Sequence, residues 1–185
     1  GEGEEVDLEI IDLYLEMRKS GEYTRAKFLR AAAQVPGVYV PSLYDVTYNE
    51  DGTVCAVTPK DDAPETVRKR IITDMNTVYY PETFIVPSIE IVHDRAVSEV
   101  QRGCYRACRF CQAGFIYRPV RTKSIEKIDQ EARCICEHTG YEELSLVSLS
   151  TSDYPDINGL LDRLLTWTND ERVSISLPSQ RVDSF

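Results

Sequence analysis

The run Ala96-Val-Ser-Glu-Val-Gln-Arg-Gly-Cys-Tyr-Arg-Ala-Cys-Arg-Phe-Cys111 decides how this chain is read. Residues 96–101 suit a strand. That strand leads straight into a loop carrying Cys104, Cys108 and Cys111 at C-x3-C-x2-C spacing. The order that follows is regular: a helix is expected over 124–138, a strand from Glu143 to Ser148, a helix over 156–167 and a strand from Arg172 to Leu177. Strands alternating with helices in this way imply an α/β class with parallel pairing and right-handed crossovers.

Upstream the texture differs. Leu8, Ile11 and Leu15, with Ile10, Tyr14 and Met17, fall at helical spacing over 6–19, with acids first and Arg18 and Lys19 last, as the helix dipole favours. Gly21 stops that helix. Thr24 can cap a second one through Gln34, with Phe28, Leu29, Ala32 and Ala33 as its apolar face, before Pro36-Gly37 breaks it. Tyr44 to Tyr48 and Thr53 to Thr58 alternate across Asn49-Glu50-Asp51-Gly52, a hairpin signal. Pro64 opens a third expected helix carried by Val67, Ile71 and Met75. Pro81 and Pro87 then enforce an extended crossing, and a domain boundary is expected near Ser88.

The chain has 185 residues, 42% of them hydrophobic, enough for a real core, and no apolar run approaches the roughly 18 residues a membrane helix needs. Twenty-one basic against 31 acidic residues give a net charge of −10, which argues against non-specific nucleic-acid binding by the whole chain. The opening Gly1-Glu2-Gly3-Glu4-Glu5 has no initiator Met and no signal-peptide pattern, so the chain reads as a segment of a longer protein. Six cysteines, three of them within eight positions, point to a reducing, cytoplasmic setting and a metal or redox role rather than a disulfide scaffold.

Three thiolates on one tight loop can hold three irons of a 4Fe-4S cluster and leave the fourth iron open to a ligand. The competing reading is a closed zinc site, hence a zinc-stapled, non-catalytic binding module. Its fourth ligand would come from Cys134-Ile-Cys136-Glu-His138, where Cys134 and His138 share a helix face at i, i+4 and Cys136 points elsewhere.

Cys104-x3-Cys108-x2-Cys111, with Phe110 just before the third cysteine, resembles the signature of the radical S-adenosylmethionine (SAM) superfamily. The longer string from Glu99 to Arg121 is similar to uncharacterised bacterial members with an N-terminal cobalamin-binding-like domain, and Gly1-Glu2-Gly3-Glu4 resembles the motif where that domain ends. The resemblance implies that Cys104, Cys108 and Cys111 ligate a 4Fe-4S cluster whose open iron binds SAM, with one-electron cleavage to a 5′-deoxyadenosyl radical. It places Phe110 against the adenine, and Ser150, Thr151 and Asp153 where related enzymes carry a Gly-Gly-Glu type motif. Ser179, Gln180 and Arg181 fall where relatives contact the ribose or carboxylate. The fold implied is a mixed α+β region over 1–88, following an absent cobalamin-binding-like domain, and the first βα units of a radical SAM barrel over 89–185. With three strands, that barrel is expected to be truncated. An enzyme of this class transferring a methyl or methylthio group is the implied activity, with an RNA methylthiotransferase as an alternative, and cobalamin and an external reductant as implied partners.

Eight basic residues between Arg102 and Arg133 stand against Glu126, Asp129 and Glu131, a local balance of +5. They suit an anionic partner such as RNA phosphate or the SAM carboxylate, or else offset the cluster's charge and form a solvated face. His93-Asp94-Arg95 reads as a hydrogen-bonded linker element sooner than a proton-transfer pair, and Tyr39, Tyr44, Tyr48, Tyr79 and Tyr80 as packing of the first region.

Overall fold

The computed structural model describes residues 2–89 and 91–184, which cluster into two units, Gly1–Ile72 and Thr73–Phe185. In the first unit, α1 spans Val6–Lys19 and α2 spans Arg25–Ala32, with the Thr24 hydroxyl accepting the Lys27 N–H at 3.2 Å. Tyr14 meets Tyr23 and Phe28 edge-on, with ring centres 5.3 and 5.9 Å away. Strands β1 (Tyr44–Tyr48) and β2 (Val54–Pro59) form the expected antiparallel hairpin, its turn pinned by the Asp51 carboxylate accepting from the Thr53 N–H at 2.9 Å. Ala33, Val40, Leu43, Tyr44 and Ala63 make the small core of this unit.

The helix expected from Pro64 does not form. Thr66, Val67, Ile71 and Ile72 are β-branched and poor helix formers, and the acidic N-terminus captures the segment in extended form. Glu2 N–H donates to the Arg70 carbonyl at 3.0 Å, and the Ile72 N–H donates to the Glu2 carboxylate at 2.6 Å. The Arg70 guanidinium then bridges Glu5 and Glu9 at 2.8 and 2.6 Å. Glu2, Glu5 and Glu9 thus clasp this segment to the N-terminus, and Gly1 lies outside the described residues.

The second unit is built on three parallel strands, β3 (Ala96–Glu99), β6 (Glu143–Val147) and β7 (Ser174–Ser176), in the order β3-β6-β7. Ala96 sits opposite Leu144, and Leu144 opposite Ile175. Helices α4 (Ile125–Thr139) and α5 (Ile157–Glu171) supply Ile128, Ala132, Ile135 and Leu160, Leu164, Trp167, both at i, i+4, i+7. These stripes close on Ala96, Val100, Leu144 and Leu146 to form the core. Full burial of each leucine contributes on the order of 2 kcal/mol.

Two boundaries differ from expectation. Helix α5 continues past residue 167 because Trp167 and Thr168 are themselves buried, and Arg172, at φ +59°, is its left-handed C-cap, so the strand begins at Ser174. The strand expected over 96–101 is divided. Val100 donates to the Val147 carbonyl at 3.1 Å and accepts from the Lys123 N–H at 3.0 Å. The chain then leaves the sheet, and β4 (Gln101–Arg102) pairs antiparallel with β5 (Arg121–Thr122).

The units divide upstream of Ser88 because the proline-punctuated stretch packs on the second one. The Tyr80 hydroxyl donates to the Val97 carbonyl at 3.0 Å, Phe84 packs on the core, and the Cys134 thiol donates to the Glu82 carbonyl at 3.2 Å. Among the described residues no helix is long and apolar enough to cross a membrane.

Candidate cysteine-loop site

The β4–β5 pair forms a neck, and the cysteine loop is everything it encloses. At the neck's exit Gly103 takes φ +93°, where a Cβ would lie 2.3 Å from the Tyr117 carbonyl oxygen and 2.8 Å from that of Pro119. Only glycine lets the two arms of the loop pass this closely. Cys111 N–H donates to the Cys108 carbonyl at 2.9 Å, turning the chain into the short helix α3 (Ala113–Ile116). Gly114 of α3 presses on the first half of the loop, where an added Cβ would stand 2.9 Å from the Ala107 nitrogen. Ala107 itself is left-handed at φ +49°.

All six cysteines are free thiols; Cys104 and Cys111 are half-buried and Cys108 is exposed. Among the described residues no three His, Cys, Asp or Glu side chains stand together at metal-binding distance. Cys134 and His138 do share a face, Sγ to Nδ1 3.6 Å, as their spacing requires, but they add no fourth ligand to the loop here. Cys136 is buried, which pushes its thiol up to about 11. The donor chemistry on the loop, three thiols with no fourth side chain, fits an open-site cluster better than a closed tetrahedron.

Asp153 ties this loop to the sheet. It lies in a 3-10 turn, Thr151–Asp153, just past the C-terminal end of β6, and its side chain is 4% exposed. Arg106 from the cysteine loop grips it with both arms, Nε to Oδ2 at 2.9 Å and Nη2 to Oδ1. Arg181, beyond β7, donates Nη1 to Oδ1 at 2.9 Å, and the Ser150 hydroxyl donates to Oδ2 at 2.8 Å. Hydrogen bonding from Arg106, ahead of that from Ser150, holds the carboxyl down to about 2, and Arg106 is raised in turn. This cluster sits outside the carboxyl ends of parallel strands, where open α/β sheets characteristically bind ligands.

The expected SAM contacts therefore separate. Ser150, Asp153 and Arg181 converge. Thr151 is fully buried, its hydroxyl 3.1 Å from that of Ser148, and its N–H donates to the Ser179 carbonyl at 3.1 Å. Thr151 and the backbone of Ser179 stitch the two strand ends together, and the Ser179 side chain is exposed at φ +60°. Phe110 is 92% exposed, its ring open on the loop surface. Arg106 was not singled out as a site residue from sequence; its place inside the C-x3-C interval was the available signal.

Several of the basic residues around the loop have internal partners. Lys123 pairs with Glu131, Arg102 with Glu99, Arg106 with Asp153, and Arg133 with Asp129, so these four cations are engaged by the chain's own carboxylates. His93 accepts from Arg95 at 3.4 Å, and Arg95 also pairs with Glu143 at 2.7 Å, as a linker element does.

Comparison with known proteins meets this geometry at the same residues. An uncharacterized protein of Methanocaldococcus jannaschii is 27% identical over 139 residues, covering 75% of this chain. The chain spans about 29% of the length of that curated relative. The sequence model of the Radical SAM superfamily matches residues 98–184 of this chain, from β3 through the turn beyond β7.

Proposed function

We propose that Cys104, Cys108 and Cys111 hold a 4Fe-4S cluster and that the chain is part of an enzyme acting on SAM. The observation that carries this reading is the triplet of free thiols on a loop closed by the β4–β5 neck and tied to the strand ends, within the matched family segment. Held by these three thiolates, such a cluster would supply one-electron reductive chemistry toward the SAM sulfonium. The chain's residues supply binding and orientation. The three thiolates ligate, Phe110 offers an uncovered aromatic face for the adenine, and Ser179 and Arg181 border the same strand ends.

Anaerobic loading of the full-length protein with iron and sulfide tests the proposal. Parent protein should take up iron with broad visible absorption; Cys104→Ala, Cys108→Ala and Cys111→Ala should each lose it, while Cys55→Ala, Cys134→Ser and Cys136→Ser keep it. Dithionite and SAM should then release 5′-deoxyadenosine. Stoichiometric zinc in place of iron, lost with Cys134→Ser, would establish the zinc-stapled alternative.

A further inference from the structure

The expectation from resemblance is that Asp153 touches SAM, and its surroundings argue otherwise. A carboxylate offers about four lone-pair positions. Those of Asp153 are all engaged: Oδ1 by Arg106 Nη2 and Arg181 Nη1, Oδ2 by Arg106 Nε and Ser150 Oγ. With its side chain 4% exposed, it has no acceptor left to present to a ligand. Its partners come from three places that no local sequence rule connects: the loop between Cys104 and Cys108, the end of β6 and the segment beyond β7. Two guanidiniums brought to one oxygen repel each other unless the carboxylate lies between them. Arg181 is further fixed by Asp183, with Nε 2.8 Å from Oδ1.

We infer that Asp153 is a positioning residue: through Arg106 it latches the cysteine loop onto the C-terminal end of the parallel sheet, and it sets the loop's orientation without contacting SAM itself. The latch is made by contacts within the chain; its meaning for catalysis rests on the function proposed above. Arg106 lies two residues from both Cys104 and Cys108, so its bidentate grip fixes the backbone that presents those thiols. Asn at 153 would turn an N–H2 toward the guanidinium donors and remove the charge between them, leaving Arg106 and Arg181 in mutual repulsion.

Two measurements test this independently. In the metal-free protein, trypsin cleavage after Arg109 should be about 5-fold or more faster in Asp153→Asn and in Arg106→Gln, with cleavage after Lys127, inside α4, unchanged. Asp153→Glu, which keeps the charge, should restore part of the protection. The double variant should be no worse than either single one, as residues acting through one contact behave in a mutant cycle. In the iron-loaded full-length protein, Asp153→Asn should keep its iron and sulfide content. It should lose the change that SAM causes in the electron paramagnetic resonance spectrum of the reduced cluster, or require about 10-fold more SAM to show it. Cleavage after Arg109 within twofold of parent in both single variants overturns the latch, as does a rise matched by Lys127. Faster cleavage in a protein that takes up no iron upholds the latch and overturns the proposed function instead.

Discussion

Asp129 on α4 accepts the indole N–H of Trp167 on α5 at 2.9 Å, and its other oxygen takes Arg163 Nε at 2.9 Å. Arg133 stacks its guanidinium 4.9 Å from the centre of the same indole. The two helices that cover the sheet are thus joined by a buried carboxylate as well as by apolar packing. Asp129→Ala leaves the indole N–H without its acceptor and removes the charge facing two arginines. The expected loss is about 2–4 kcal/mol, read by urea unfolding followed on Trp167, the chain's one tryptophan.

Lys123 and Glu131 form a second buried pair, 2.6 Å apart with both side chains 3% exposed. Lys123→Met alone strands Glu131, whose other cation, Lys127, is 3.6 Å away, and should cost about 3–5 kcal/mol. Lys123→Met with Glu131→Leu removes the ionic requirement and should recover most of that loss. Chemical denaturation of the parent and the two variants decides it; a double variant no more stable than the single one would show that packing, not charge, was lost.

The Asp153 carboxyl titrates at about 2 in the folded protein, below its ordinary value near 3.8. A depressed folded value means that the unfolded chain takes up the proton first. The associated stability is complete above about pH 4 and lost as the pH falls toward 2. Asp51 and Asp183 are lowered as well, so the measurement is the difference between parent and Asp153→Asn across pH 2–6. That difference should hold from pH 6 to about 4 and shrink below that.

Thiol reactivity should rank by exposure and ionisation. Cys55 and Cys108 are exposed, whereas Cys136 is buried and desolvation pushes its thiol up to about 11. Iodoacetamide at pH 8 should label Cys55 and Cys108 first and Cys136 last, by at least about 10-fold, because the thiolate is the nucleophile. Peptide mass spectrometry over time reads the order directly.

The parallel sheet was legible because its signals are periodic. Ile128, Ala132 and Ile135, like Leu160, Leu164 and Trp167, repeat at the helical interval, and Ser124 and Asp156 cap their helices with hydrogen bonds to the Lys127 and Gly159 N–H groups. The neck was not legible. Two-residue strands have no period, and the departure of Gln101 from the sheet depends on Val100 and Lys123 meeting across the loop. The false helix after Pro64 had apolar spacing in its favour; what overrode it was Glu2, some seventy positions away along the chain. The candidate site divides in the same way. Cysteine spacing is local and readable, whereas the partnership of Arg106 with Asp153 and Arg181 exists only once three strand ends are brought side by side.

The strand order β3-β6-β7 carries a consequence for synthesis on the ribosome. Within the sheet each strand docks beside the sheet strand made before it. The sheet can grow by accretion, N-terminus first, with no early strand waiting for a distant partner, which keeps loop-closure demands small. The cysteine loop emerges between the first strand of the sheet and the second, so its neck can close first, and its tie to the sheet forms only after Asp153 and then Arg181 have been translated. The order of translation therefore separates closing of the loop from its fixing onto the sheet.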